Sequence, residues 1–279
     1  MPSGGSWPGE LRAKALEAQR ILRELGSVLV ALSGGVDSAV LAALAREALG
    51  PRAVLLATVD SPLTPSRDLE DARAIARALG LEHVILRLNE LEDVPGFRTN
   101  PPDRCYLCKR YRLRALLELA EARGLGGVVE GSNADDLRAD RPGLRAAREL
   151  GVRSPLAEAG LAKNEVRLLA HLMGLPVADK PPSACLATRI PFGEELTEAR
   201  LRRVEAAEEA IRTLLPELGI LRVRDHGTLA RIEVPSSELT ALLAPDVRAK
   251  LIKALRALGY RYICLDLEGY RPHEPSKLL

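Results

Sequence analysis

Two groups of residues in this chain have the types and spacing to do chemistry. The first is Ser33-Gly34-Gly35-Val36-Asp37-Ser38, which directly follows the aliphatic run Val28-Leu29-Val30-Ala31-Leu32. Glycines at a strand end let backbone N–H groups approach an anion closely, and a helix opening behind them adds partial positive charge. Ser33 and Ser38 can donate hydroxyl hydrogen bonds to phosphate oxygens. Asp37 repels phosphate, so its natural role is to hold a Mg²⁺ that attracts it. The string has neither the Gly-Lys-Ser/Thr of a Walker loop nor the spaced glycines of a dinucleotide fold.

The second group is thiols. Cys105 and Cys108 follow Asn100-Pro101-Pro102-Asp103-Arg104 and open a helical pattern that carries Lys109 and Arg110. A helix N-terminus and neighbouring cations lower thiol pKa, which suits metal ligation or redox work. Alone, the pair fits half a zinc site, a redox pair or a cluster, and no second Cys-x-x-Cys or His-x-x-x-His completes a zinc site locally. Cys185 stands in the Pro-punctuated stretch 180–193. Three thiolates, Cys105, Cys108 and Cys185, would hold a cubane [4Fe-4S] cluster with one iron open to an outside ligand. Cys264, inside the aliphatic run 262–266, reads as a small core residue.

Elements must position these groups. Short aliphatic runs at 27–32, 53–59, 83–88 and 127–130 suit strands buried on both faces, and helical patterns at 38–49, 65–79 and 105–123 lie between them. Gly80 and Gly124 end two of those helices. Alternating strand and helix predicts an α/β fold, a doubly wound parallel sheet with helices on both faces. Such sheets bind ligands at the carboxyl ends of their strands. Asp60, after the second strand, and Gly131, Asn133 and Asp135/Asp136, after the fourth, are therefore candidate nucleotide and metal contacts opposite the phosphate loop.

Residues 131–160 read as loop-rich, followed by a helix at 163–173. The composition then changes. A charged helix at 196–214, strands at 220–225 and 229–235, a helix at 247–258 and a strand at 260–267 predict a smaller C-terminal α+β domain. The expected boundaries are 1–190 and 191–279. Arg222 and Arg224 lie two apart on a strand and so share one face, where two forked guanidiniums make a clamp for a nucleotide phosphate. The same pattern also fits a solvated edge.

Composition narrows the class. The 279 residues suit roughly two domains. Hydrophobic residues make up 47% and charged ones 28%, which argues against disorder, and 3% aromatics require an aliphatic core. A net charge of +2 argues against a nucleic-acid partner. Four unevenly spaced cysteines are no secreted disulfide framework. No long uncharged apolar run indicates a membrane span, and residues 1–8 lack the features of a signal peptide. The expectation is a reduced, cytoplasmic, soluble protein.

The string 33–38 in its strand–loop–helix context resembles the pyrophosphatase loop of the PP-loop, or N-type, ATP pyrophosphatases (the adenine nucleotide alpha hydrolase-like fold). Further strings narrow the resemblance: 100–109, 141–144, Ser183-Ala184-Cys185-Leu186-Ala187-Thr188-Arg189 with 190–193, 222–224, 230–235, 259–262 and 265–266. Together they resemble the LarE family of ATP-dependent sulfur transferases in nickel-pincer nucleotide synthesis, over about residues 10–270. The resemblance implies ATP and Mg²⁺ as cofactors and pyridinium-3,5-biscarboxylic acid mononucleotide as substrate. One carboxylate is adenylated, pyrophosphate leaves, and sulfur replaces AMP to give a thiocarboxylate. Some members sacrifice a cysteine sulfur; the three cysteines here resemble the iron–sulfur type. Ser33, Gly34, Gly35, Asp37, Ser38, Asp60, Gly131, Asn133 and Asp136 would hold nucleotide and metal. Arg189, Glu208 and Glu233 would join Arg222 and Arg224 near the substrate. A homo-oligomer, trimer-based, is implied as well. The competing expectations are a PP-loop tRNA thiolation enzyme and a non-catalytic nucleotide-binding module with a structural metal.

Overall fold

The computed structural model describes residues 8–138 and 142–271. Residues 1–7, read above for a signal, and Arg141, of the string at 141–144, lie outside the described residues. The chain divides into two compact units, Met1–Leu88 with Asp103–Lys180 and Asn89–Pro102 with Pro181–Leu279.

In unit one, strands β1 (Val28–Ala31), β2 (Val54–Asp60), β3 (Glu82–Arg87) and β4 (Val128–Val129) form a parallel sheet in the order β3-β2-β1-β4. Side chains alternate across it, as the strand repeat demands. Val28, Val30, Val54, Leu56 and Val129 enter one core with the helices Gly9–Leu25, Val36–Leu49, Ser66–Leu79 and Lys163–Leu172. Leu29, Leu55, Ala57 and Val128 enter the other with Leu113, Leu116 and Ala120 of the helix Arg104–Ala122. Both faces are covered, so the α/β reading holds. Successive connections run outward from β1 to β3 and then return to β4 on the other side of β1. The gap between β1 and β4 is thus the topological switch point at which open sheets take their ligands.

Two parts of unit one differ from expectation. Helix Gly9–Leu25 lies outside the elements read from sequence, although Leu11, Ala15, Ala18 and Leu22 recur at helical spacing and are all buried. The stretch read as loop contains the helices Ala134–Arg138, Pro142–Glu149 and Pro155–Glu158. Pro142 and Pro155 stand at first helical positions, where proline loses no hydrogen bond, so a residue that reads as a breaker here opens a helix.

Unit two carries the helices Glu198–Leu214 and Pro245–Ala257 and strands β5 (Arg222–His226), β6 (Leu229–Glu233) and β7 (Tyr262–Leu265). Thr197 caps the first helix by accepting from the Arg200 N–H at 3.2 Å. β5 and β6 are antiparallel, and β6 and β7 parallel, in the order β5-β6-β7. Ile211, Leu221, Val223, Ile232, Leu251, Leu255 and Tyr260 make the core. Cys264 corrects the expectation of a core residue, because it is exposed. It shares the outer side of edge strand β7 with Tyr262, while Ile263 and Leu265 pack inward. Segment Asn89–Pro102 belongs to this unit through Asn100, fully buried and at φ +54°. Its amide donates to the carbonyls of Ile190 (3.1 Å) and Pro191 (2.7 Å). Among the described residues no helix is long and apolar enough to cross a membrane.

One carboxylate organises unit two. Asp225 is fully buried and accepts from Arg200 at 2.8 Å, Arg203 at 2.5 Å, the Tyr260 hydroxyl at 2.9 Å and the Gly227 N–H at 3.1 Å. Removing one member of a buried ionic cluster leaves the others unpaired. Asp225→Ala should therefore lower the stability of the unit by about 3 kcal/mol, read as a shift of the urea unfolding midpoint. An unchanged midpoint would show that solvent already screens the cluster.

Candidate active site

The phosphate loop leaves β1 at its carboxyl end. Gly34 has φ +75°, and a Cβ built there would lie 2.1 Å from the carbonyl oxygen of Asp68. Only glycine fits both demands. Gly35 precedes the helix Val36–Leu49 in extended conformation. Ser38 is buried; its hydroxyl donates to the Gly35 carbonyl at 3.0 Å and accepts from the Ser33 N–H at 3.1 Å. With that hydrogen committed, Ser33 Oγ is the donor across the 3.1 Å contact between the two hydroxyls. Both serines therefore shape the loop from within, and the exposed Ser33 stands at its mouth.

Asp37 lies in the first turn of that helix. Its carboxylate accepts from the Lys163 ammonium on Oδ2 and from the Asn133 amide at 3.3 Å on Oδ1. A half-buried carboxylate that already holds one cation suits Mg²⁺, a hard ion that takes oxygen ligands. Asn133 also caps the helix Ala134–Arg138. Its Oδ1 accepts from the N–H groups of Asp135 (3.0 Å) and Asp136 (3.3 Å), and its own N–H donates to Asp136 Oδ2 at 3.0 Å. This reciprocal pattern is a capping box, in which Asp136 holds the turn and Asn133 reaches Asp37. Asp135 accepts from the Lys163 N–H at 2.8 Å. Gly131, after β4, lies directly on the loop helix: a Cβ there would meet the Ser38 nitrogen at 2.8 Å. Asp60 ends β2, half-buried, at the same carboxyl edge of the sheet.

Three cations here lie outside the expected set. Lys163 pairs with Asp37, while Lys180 donates to the Gly34 carbonyl at 2.9 Å and pairs with Asp68 (2.7 Å) and Asp71 (2.5 Å). Lys109 pairs with the buried Glu130 at 2.8 Å. Each partnership spans a long stretch of chain, and nothing local in the sequence announces it. Cys105 is exposed and Cys108 half-buried, one turn apart at the start of the helix Arg104–Ala122.

Unit two gathers the other predicted residues around the loop that carries Cys185. Arg189 donates to both oxygens of Glu208 (2.8 and 3.0 Å) and to the carbonyls of Ala184 (2.7 Å) and Cys185 (3.0 Å). Arg224 donates to Glu233 at 2.8 Å and to the Thr188 carbonyl at 2.7 Å. Arg222 donates to the carbonyls of Pro182 (2.7 Å) and Leu221 (2.8 Å) and lies over the Tyr270 ring. All five side chains are buried, so the solvated-edge reading of Arg222 and Arg224 does not hold. Burial and the neighbouring Arg189 charge push the Arg222 guanidinium down to about 10, so it remains charged at neutral pH. Among the described residues no group of three or more His, Cys, Asp or Glu is arranged to hold a metal ion.

Comparison with known proteins places this geometry. Residues 14–132 match the family model described as NAD synthase. An uncharacterised protein of Synechocystis is 40% identical over 96% of this chain and 99% of its own length. The pyridinium-3,5-bisthiocarboxylic acid mononucleotide synthase of Lactiplantibacillus plantarum is 35% identical over 90% of this chain and 89% of its own. The chain belongs to the LarE family. A tRNA-specific 2-thiouridylase of Xanthobacter autotrophicus is 34% identical, but over 65% of this chain and 55% of its own. As a LarE-family chain, this is an ATP-using enzyme of the PP-loop superfamily.

The ion pairs of this LarE-family chain fix its response to acid. Burial works against ionisation of Glu208, but Arg189 and then Arg222 hold its carboxyl below the usual value. Burial opposes Asp225 likewise, and Arg200, Tyr260 and Arg203 hold it low. A carboxyl whose folded pKa is depressed stabilises the fold above its unfolded value and stops doing so as the pH falls through the folded one. The urea midpoint should therefore rise from about pH 3 to about pH 5 and then level off. Glu208→Gln should flatten that rise; an unaltered slope would place the acid sensitivity elsewhere.

Proposed function

We propose that the chain is an ATP-dependent sulfur transferase that converts a carboxylate of pyridinium-3,5-biscarboxylic acid mononucleotide to a thiocarboxylate. The observation that carries this reading is the kinship, over nearly the whole of both chains, with a protein named for the bisthiocarboxylic product. The geometry supports it in both units. In unit one the phosphate loop would present backbone N–H groups to ATP, and Asp37, oriented by the Asn133 amide on its Oδ1, would provide the carboxylate oxygen for Mg²⁺. Lys163, paired with Asp37, would carry positive charge beside the α-phosphate. A substrate carboxylate oxygen then attacks that phosphorus and pyrophosphate leaves, its charge spread over loop, metal and lysine. In unit two Arg222 and Arg224 offer guanidinium charge to the nucleotide phosphate. Sulfur attack on the acyl carbon expels AMP and leaves the thiocarboxylate.

Cys105, Cys108 and Cys185 are the proposed sulfur ligands. None is in a disulfide, and Cys105 is exposed while the other two are half-buried, so the donor chemistry suits thiolate ligation. A [4Fe-4S] cluster on these thiolates would supply a transferable sulfide at its open iron. In unit two the protein's own part is to fix Cys185. Arg189 and Thr188 bind its carbonyl, at 3.0 and 2.8 Å.

The direct test is incubation of the chain with ATP, Mg²⁺, a sulfide source and the biscarboxylic mononucleotide. Pyrophosphate and a thiocarboxylate mass shift are expected, and Asp37→Ala should abolish both while the chain stays folded. Pyrophosphate release at the normal rate by that variant would remove Asp37 from the site. If instead the chain thiolates tRNA and ignores the mononucleotide, the kinship with the thiouridylase is the functional one.

A separate expectation concerns the thiols. Anaerobic reconstitution with iron and sulfide should give a brown protein with broad absorption near about 400 nm, and repeated turnover with sulfide. Cys105→Ala, Cys108→Ala and Cys185→Ala should each stop sulfur transfer, and Cys264→Ala should not. A single turnover per chain with loss of the mass of H₂S would show a sacrificed cysteine instead.

A further inference from the structure

Glu130 has no part in the reading above, yet both oxygens of its buried carboxylate are engaged. It follows β4, is 6% exposed, and accepts from four donors. Lys109 Nζ (2.8 Å) and Ser132 Oγ (2.9 Å) bind Oε2; the Ser132 N–H (3.3 Å) and Ser154 Oγ bind Oε1. An ionised carboxylate has about four lone-pair sites, so none is left for a proton, a metal or a substrate. Burial opposes its ionisation, but the charge and hydrogen bond of Lys109, with those of Ser154 and Ser132, hold the carboxyl below its usual value. Glu130 is charged, saturated and fixed.

What it fixes lies on both sides. Next in the chain is Gly131, where a Cβ would lie 2.8 Å from the nitrogen of Ser38 in the phosphate-loop helix. Across the ion pair is Lys109, four residues beyond Cys105 and one beyond Cys108. The lysine stem is closed in from behind, since a Cβ at Gly143 would lie 3.1 Å from Lys109 Cδ. One turn further on, Arg112 Nη2 donates to Ser61 Oγ at 2.6 Å, just beyond the end of β2. Positions 105, 109 and 112 share one helix face. The thiol-bearing helix is therefore fastened at two points to the carboxyl edge of the sheet, at β4 by charge and at β2 by a hydrogen bond.

We propose that Glu130 is a positioning residue: through Lys109 it sets the first turn of the thiol helix, and through Gly131 it sets the phosphate loop, so that nucleotide binding at the loop is felt at Cys105 and Cys108. The proposal rests on the reading that this loop binds ATP and these thiols handle sulfur. The coupling needs no sulfur chemistry to be seen, so its failure and the failure of that reading are separable.

The test is the rate at which iodoacetamide alkylates each cysteine of the full-length, cluster-free chain, read by peptide mass spectrometry. It is run with and without Mg²⁺ and a non-hydrolysable α,β-methylene ATP. In the unmodified chain the nucleotide should change the rates at Cys105 and Cys108 by about fivefold or more, and leave the rate at Cys264 unchanged. Glu130→Gln and Lys109→Met should each abolish that response at an analogue concentration that saturates the variant, set from its own affinity measured by calorimetry. Lys109→Arg, which keeps the charge, should restore part of it. Lys109→Met retains the packed stem and serves where Glu130→Gln does not fold. No thiol response in the unmodified chain, or a full response in Lys109→Met at saturating analogue, overturns the proposal. A normal thiol response in a chain that never releases pyrophosphate would leave this coupling standing and overturn the functional reading instead.

Discussion

A Cβ atom at residue 34 would lie 2.1 Å from the carbonyl oxygen of Asp68, and one at residue 131 would lie 2.8 Å from the nitrogen of Ser38. Real Cβ atoms do not come so close to backbone. The active region of unit one is thus a place where three backbones meet with no side chain between them: the loop after β1, the first turn of the helix Ser66–Leu79 and the strand end after β4. The remaining arrangement follows from that closeness. Lys180 can bind Gly34 and the two aspartates of the neighbouring helix at once only because helix and loop touch. Asn133 can reach Asp37 only because Gly131 brings the chain after β4 onto the loop helix. The hydroxyls of Ser33 and Ser38 bond to each other and to the loop backbone, which fixes the loop from within. A loop held this tightly keeps its N–H groups aimed before any ligand arrives, the condition under which such groups stabilise developing charge most effectively.

The parts legible in the sequence are those whose causes are local. Strand runs, the glycines of the loop and the helix opened by Val36 and Asp37 sit within a dozen residues of one another, and the sheet they imply is the one found. Ion pairs have no such signature. Lys163 is 126 residues from Asp37, and Lys180 is 146 from Gly34. A lysine in an amphipathic helix looks the same in sequence whether it faces water or a carboxylate. The helix Gly9–Leu25 was legible, since its buried positions recur at helical spacing. Asn100 marks a different limit. Its left-handed backbone and buried amide hold Asn89–Pro102 among the residues of unit two, an exchange that reading in chain order cannot reveal. Cys264 fails for a third reason: cysteine's general preference for burial yields to the alternation of an edge strand.

Unit two faces the harder physical problem, which is to bury guanidinium charge in a domain whose core is almost wholly aliphatic. Charge taken from water is tolerated only with partners, and here each partner serves twice. Glu208 neutralises Arg189 and also accepts from the Val223 N–H, at 3.0 Å, which ties the charged helix Glu198–Leu214 to strand β5. Glu233 takes Arg224 on one oxygen and Arg231 on the other, and Arg231 continues to Asp266. Arg189, Arg222 and Arg224 also donate to carbonyls of residues 182–188. The loop that holds Cys185, with little regular structure of its own, thereby acquires its shape from buried charge.

Among the described residues, Arg189 pairs with Glu208, Arg224 and Arg231 with Glu233, and Arg231 and Arg271 with Asp266, while no carboxylate lies within ion-pair distance of Arg222. Arg222 hydrogen-bonds carbonyls, lies over the face of Tyr270 and feels the Glu208 charge without pairing with it, and burial together with Arg189 lowers its pKa. Its bonds to the Pro182 and Leu221 carbonyls help to shape the loop, yet neutral carbonyls give little reason to bury a full positive charge. An anion does give one. A phosphate brought to Arg222 would supply the missing negative charge in surroundings where it counts for more than in water, and would meet an arginine that carbonyls already hold in place. The position of Arg222, held by carbonyls and with no carboxylate at ion-pair distance among the described residues, supports the proposal that the arginine cluster of unit two receives the nucleotide phosphate, with the Cys185 loop held by the same side chains.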